Sequence, residues 1–452
     1  MPGHKALFKV PKNMQGLRPL RTHLLALGLV AGVAFSAQAA ADAAQVDAEA
    51  RLLGVLRLVE QRDLDGAIKA AGELTAQVPN FQAAQLVYAD LLRFRMGQGR
   101  VAAPGFGASA VLRAEQAAGR GVLAAQLRPG SSTAGVEPMT LDEQLRGLQQ
   151  ELKRRVEASH QALPENAVPS DFLQLAASVK HAIAVDAGKS RLYLFANEGG
   201  VPRLLGNYYV TVGRLGLNKQ KEGDQRTPEG IYFISRQLAG SRLPSFYGKG
   251  ALTVNYPNDW DRYLGRTGSG IWLHGTPPEQ FARLPMASDG CVVLSNPDLL
   301  RLMKDVGWQT PVLIRESLEW VALKNAGRES AAQDQQRLLQ SWVQAWSGAG
   351  GKGRAAEQSL EQQAESLSGV YEAGFLRSRP ARNTLDQLSR QFKQPQMGLQ
   401  DVGVFSWSEP KGELRVVNLK LVGSNPASAL QLRQYWRKTG NGWKIFSEDI
   451  LR

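Results

Sequence analysis

Cysteine is almost absent from this 452-residue chain: Cys291 is its one thiol. A disulfide framework within one molecule is therefore excluded. Histidine is scarce too, five residues in all, so few imidazoles are available for metal binding or proton transfer. Beyond the first forty residues no segment is apolar enough to span a bilayer. The hydrophobic share of 43% fits a globular protein, and a chain of this length exceeds what one core organises, so two to four domains are expected.

What is present begins with a basic run ending at Arg21, an apolar run from Leu24 to Phe35, and the small-residue sequence Ala37-Gln38-Ala39. This is the layout of a secretory signal peptide, residues 1–39, because an apolar run of about a dozen residues is short for the roughly 20 that cross a bilayer. Without Lys5, Lys9, Lys12, Arg18 and Arg21 the formal charge falls from +13 to +8. That surplus fits either an acidic polymer or membrane face as neighbour, or a merely solvated surface. A lone thiol in an oxidising compartment such as the periplasm needs a reason to persist, either catalysis or burial as a small hydrophobe.

The spacing of Leu52, Leu53, Val55, Leu56 and Leu58 predicts a helix, and two more follow, separated at Val78-Pro79. This region, 44–96, resembles a single tetratricopeptide unit or forms a small helical bundle. Residues 97–177 read as a linker rich in Gly, Ala, Ser and Pro, interrupted by a polar helix from Leu141 to Leu163. From 178 to 316 short apolar runs alternate with Gly/Pro punctuation, which predicts a β-rich domain. Residues 330–452 read as leading helices, with Trp342 and Trp346 on one face, followed by four strands. The whole is a multidomain α+β protein with a helical N-terminal region.

The chemistry concentrates in Ile271-Trp272-Leu273-His274-Gly275 and, seventeen positions after the histidine, Ser288-Asp289-Gly290-Cys291. A thiol attacks as its thiolate, and a nearby imidazole can take its proton and return it to a leaving amine. The other histidines left after export, His160 and His181, read as surface or edge residues. Gly290 permits close backbone approach beside the nucleophile, and neighbouring N–H groups could form an oxyanion hole. Tyr247, Tyr256 and Trp272 belong to an aromatic stretch before and around His274 that is either a substrate wall or ordinary packing. Asn258, Asp259 and Asp261 lack the spacing of a calcium loop and read as a turn.

These residues resemble the signature of the YkuD-type L,D-transpeptidases, a His-Gly after a strand followed by Ser/Thr-His-Gly-Cys. The match falls at His274-Gly275, Ser288, Gly290 and Cys291, with Thr227-Pro228-Glu229-Gly230-Ile231-Tyr232-Phe233 and the Val185–Phe195 hairpin upstream. The resemblance implies a cysteine acyltransferase of the periplasm acting in cell-wall and cell-shape remodelling, without cofactor or metal. Cys291 would attack a stem-peptide carbonyl of peptidoglycan, His274 would be the base, and the Gly275 carbonyl would orient it, with Ser288, Asp289 and Gly290 in support. An amine would resolve the thioester; water would instead make a carboxypeptidase or a hydrolase of protein–murein links, and loss of turnover would leave a murein-binding scaffold.

Two departures stand out: Asp289 where the family has histidine, and Val293 where an arginine is frequent. Arg214, Lys221, Arg226 and Arg266 are candidates for replacement charge. The C-terminal domain resembles the nuclear-transport-factor-like α+β cone through its Trp-rich helix and Gly442-Trp443-Lys444-Ile445, which points to scaffold or murein-linked partners rather than nucleic acid.

Overall fold

The computed structural model describes residues 48–96, 139–161, 166–349, 367–392, 397–425, 427 and 429–451. The predicted signal peptide and the Gly/Ala-rich stretch 97–138 lie outside these. Among the described residues no helix is long and apolar enough to cross a membrane.

Helices α1 (Ala48–Glu60), α2 (Leu64–Gln77) and α3 (Gln82–Arg95) follow the predicted apolar spacing. Asp63 starts α2 by accepting the Gly66 N–H at 2.9 Å. The polar helix of the sequence, α4 (Leu141–His160), opens on a capping box between Thr140 and Glu143. It does not stand alone in a linker: Leu145, Leu148 and Leu152 pack into the core formed by the first three helices. The N-terminal region is thus a four-helix cluster.

The central region contains β3 (His181–Asp186), β4 (Arg191–Glu198), β5 (Val201–Gly213), β6 (Gly230–Ala239), β7 (Gly250–Val254), β8 (Trp272–His274), β9 (Met286–Ser288), β10 (Val292–Leu294) and β11 (Pro311–Arg315). Two short helices, α5 (Asp259–Tyr263) and α6 (Asn296–Asp305), interrupt the strands. The sheet order is β10-β8-β7-β6-β11-β3-β4-β5-β9, and β10 also pairs with β5, so the sheet closes on itself. Closure removes open edges. Inward-facing Ile183, Val185, Leu192, Leu194, Val210, Leu252, Leu273, Val292, Leu294 and Ile314 fill the enclosed core.

The C-terminal region places α7 (Ala326–Ala349), α8 (Ala373–Leu376) and α9 (Arg379–Phe392) against β13 (Gly398–Glu409), β14 (Gly412–Val422), β15 (Leu430–Thr439) and β16 (Gly442–Ile450). Trp342 and Trp346 are buried there, both donating to the Tyr371 hydroxyl, at 2.7 and 3.0 Å. Strand pairing also recruits residues that composition assigns to the linker. Phe172–Gln174 (β2) adds a fifth strand beside β13, and Ala167–Pro169 (β1) pairs with Trp320–Ala322 (β12). Three-residue strands carry too short an alternation to be read in sequence.

The helical cluster is tied to the central sheet by a buried ionic knot. Arg155 of α4 lies 3.2 Å from Glu49 of α1 and 2.8 Å from Glu151, and Arg191 of β4 lies 2.7 Å from Glu49. The Arg155 guanidinium stacks 3.8 Å over the ring of Tyr209 in β5. Burial works against Glu49, yet the two guanidiniums hold its carboxyl below the ordinary range; Glu151 is raised by burial in spite of Arg155. Arg155→Met leaves these carboxylates short of a partner, and we expect it to cost about 3 kcal/mol, read as a lower urea midpoint for the helical region. Combining it with Glu151→Leu should recover most of that loss. Equal midpoints for Arg155→Met and wild type would show that the knot contributes nothing.

Candidate active site

His274 closes β8 and Cys291 immediately precedes β10, two adjacent parallel strands in which His274 stands opposite Val293. Apolar alternation does the positioning. Leu273, Val292 and Leu294 enter the core and drag the two strand ends together.

The turn carrying Cys291 is held from three sides. Gly290 has φ +126°, and a Cβ there would sit 2.7 Å from the Arg226 carbonyl oxygen, so only glycine fits without strain. Its carbonyl accepts from Thr227 Oγ1 at 2.8 Å, and that hydroxyl oxygen in turn accepts the Gly213 N–H at 2.8 Å. The Thr-Pro-x-Gly motif therefore reaches the nucleophile through its threonine. Ser288 Oγ donates to the Cys291 carbonyl at 2.6 Å and accepts the Gly290 N–H at 3.1 Å. The Gly290 N–H is thus engaged within the turn and is not a free oxyanion donor in this geometry.

The imidazole is fixed by the Gly275 carbonyl, 2.7 Å from Nδ1. A carbonyl only accepts, so Nδ1 carries the proton and Nε2 presents a lone pair. Burial, with the nearby Arg283 charge adding to it, pushes His274 down to about 4. Burial also pushes the Cys291 thiol up to about 11, against the lowering influence of the Trp272 N–H and Arg283, while Asp289 adds to the rise. The thiol donates to the Gly270 carbonyl at 3.5 Å, and no hydrogen bond joins it to His274. The resting site is a neutral thiol beside a neutral base, not a preformed ion pair.

Tyr247 stands edge-on to His274 at 5.1 Å and against Trp272 at 4.9 Å, so both line the site. Tyr256 does not: it is buried in the core against Tyr232, and its hydroxyl donates to the Thr267 carbonyl at 3.0 Å. Asp289 is exposed and lies 4.0 Å from Arg214. Arg266 is committed elsewhere, bonded to Asp261 at 3.1 Å and Glu409 at 2.7 Å at the junction with the C-terminal sheet. Arg226 donates to the Leu217 carbonyl at 2.9 Å. Asn258 and Asp261 form the capping box that starts α5, in keeping with a turn. Among the described residues no group of three His, Cys, Asp or Glu side chains could hold a metal.

Two participants were not legible in sequence. Asn296, at the start of α6, accepts the Lys249 N–H at 2.8 Å and donates to the Thr276 carbonyl at 2.8 Å, clamping the segments on either side of His274. Arg283 lies in the loop between β8 and β9, with its guanidinium 4.3 Å over Phe246. No motif surrounds it, and its approach to the site depends on distant packing.

Residues 180–314 match the model of the YkuD family, the L,D-transpeptidase catalytic domain. The L,D-transpeptidase homologue YafK of Escherichia coli (strain K12) is 31% identical over 106 residues, which are 23% of this chain and 38% of that protein. This chain therefore aligns with well under half the length of that relative. Among solved structures, Bd1075 of Bdellovibrio bacteriovorus has 26% identity and a TM-score of 0.48, covering 63% of this chain and 98% of that one. The helical cell shape determining protein Pgp2 of Campylobacter jejuni has 18% identity and a TM-score of 0.46, covering 64% and 96%.

A thiol at about 11 is ionised in only about one molecule in ten thousand at pH 7. Iodoacetamide is therefore expected to alkylate Cys291 at least about tenfold more slowly than a free cysteine peptide at pH 7, with the rate climbing steeply above pH 9. Mass-resolved labelling would read this. Labelling as fast as the peptide would mean that the resting thiol is already ionised.

Proposed function

With a YkuD-family L,D-transpeptidase catalytic domain over residues 180–314, we propose that this protein is an extracytoplasmic cysteine acyltransferase acting on peptidoglycan stem peptides. The observation that carries the reading is the convergence of a base-ready His274, its Nε2 left bare by the Gly275 bond, and the lone thiol of Cys291 at neighbouring ends of two paired strands.

In this reading the substrate carbonyl enters beside Cys291, and the thiol proton passes to His274 Nε2 as sulfur bonds to the carbonyl carbon. His274 returns that proton to the leaving nitrogen, the C–N bond breaks, and a thioester with a free terminal amino acid results. An incoming amine then gives its proton to His274 and displaces the thiolate, which is reprotonated. Starting from neutral partners suits a buried site, because no charge is held in low dielectric before substrate arrives. Tyr247 and Trp272 supply an apolar wall that excludes water from the thioester.

A second reading ends the same thioester with water. Asp289 favours it: an exposed carboxylate beside the nucleophile turn offers a base for water and disfavours an anionic acceptor.

Tetrapeptide-bearing muropeptides incubated with the full-length chain should yield cross-linked dimers by mass, whereas tripeptides alone would establish the hydrolytic reading. Cys291→Ala should abolish both, and His274→Ala should lower turnover by about 10²- to 10⁴-fold. Because the neutral imidazole is the working form and burial lowers its affinity for protons, activity should persist well below pH 6 and fall as pH drops through about 4. An acid limb near 6.5, or full activity in Cys291→Ala, would contradict the mechanism.

A further inference from the structure

Arg283 is a half-buried arginine close to the site that the reaction above does not use. Its surroundings differ from those of three fully buried arginines. Arg155, Arg191 and Arg266 each have a carboxylate oxygen within hydrogen-bond distance, at 2.8, 2.7 and 2.7 Å. The Arg283 guanidinium makes no hydrogen bond to any described residue. It rests on the face of Phe246, whose ring is 5.8 Å from the His274 ring. A guanidinium is always charged, and one half withdrawn from water without an anionic partner gains by acquiring one. Burial and the neighbouring Arg214 charge destabilise the cation further, and the fields of Cys291 and Asp289 only partly offset this.

The backbone beneath it is rigidly held. The Arg283 carbonyl accepts from the Tyr209 hydroxyl and from Thr211 Oγ1, each at 2.9 Å. Phe281, two residues earlier, packs 4.4 Å from Phe81 of the helical cluster, and its N–H donates to the Asn80 carbonyl at 3.1 Å. A half-buried guanidinium on a fixed backbone, without a carboxylate partner and close to Cys291 and His274, describes a receptor for an anion. The charge count agrees: Arg214 and Arg283 face one nearby carboxylate, Asp289, and one Nη of Arg214 is buried without a partner.

We propose that Arg283, assisted by Arg214, binds the terminal carboxylate of the acyl donor and so restricts the reaction to donors in which a single residue follows the scissile bond. This rests on the acyl-transfer reading above. That reading sets the side: His274 must return a proton to the leaving nitrogen, and the leaving residue's carboxylate is separated from that nitrogen by one carbon. A receptor for it must therefore neighbour both Cys291 and His274, as Arg283 does. A donor whose chain continued past that residue, or ended in an amide, would offer the guanidinium no carboxylate.

The test compares two synthetic tetrapeptide stems, one ending in a free carboxylate and one in a carboxamide, on full-length wild type, Arg283→Gln and Arg283→Lys. Wild type should favour the acid in kcat/KM by about ten- to a hundred-fold. Arg283→Gln should reduce that preference to within about threefold while leaving turnover of the amide in place. Arg283→Lys keeps a charge above Phe246 but loses the fork, and should fall between the two. Calorimetric binding of both peptides to Cys291→Ala, with and without Arg283→Gln, reads the same contact without turnover. If wild type turns over neither peptide while Cys291→Ala still favours the acid through Arg283, the proposed reaction fails and the carboxylate receptor stands. An undiminished acid preference in both Arg283 variants, or no acid preference in turnover and binding alike, overturns the assignment.

Discussion

Three residues, Val292–Leu294, hold the catalytic domain in its working shape. Val293 pairs with His274 of β8 on one side and with Thr211 of β5 on the other, so the shortest of strands closes a nine-stranded sheet. The Val292 and Leu294 side chains are buried in the enclosed core, and slipping by one residue would turn both outward. The same pairing that closes the sheet brings Cys291 and His274 to neighbouring strand ends. Val293, buried between these two pairings, is thus committed to packing.

Burial shapes the chemistry as much as proximity does. Low dielectric keeps the thiol protonated and the imidazole neutral, which lowers resting reactivity. The backbone groups around Cys291 and His274 are fixed by short bonds from Ser288, Thr227, Asn296 and the Gly275 carbonyl.

The helical cluster is more than an appendage. Arg155 stacks on Tyr209, the Tyr209 hydroxyl holds the Arg283 carbonyl, and Phe281 inserts against Phe81. Through these contacts helices far away in sequence fix the loop between β8 and β9. The C-terminal sheet contacts the opposite flank through Glu409, bonded to Trp260 and Arg266, and through Ser447, bonded to Asp259.

Local pattern carried much of this. The apolar spacing of α1 to α3, the alternation of the central strands and the His-Gly, Ser-x-Gly-Cys and Thr-Pro-x-Gly motifs are all short-range signals, because glycine conformation and side-chain periodicity are written residue by residue. They made Cys291 and His274 legible as candidates and the multidomain α+β class readable. Long-range geometry had no such signature. That Tyr256 is core and Tyr247 wall, that α4 packs instead of floating in a linker, that Phe172–Gln174 joins a sheet more than two hundred residues away, and that Arg283 arrives unpaired at the site were decided by tertiary packing. Which neighbours a side chain meets depends on the closure of a sheet and the docking of a helical cluster, and neither is encoded within any one stretch of sequence.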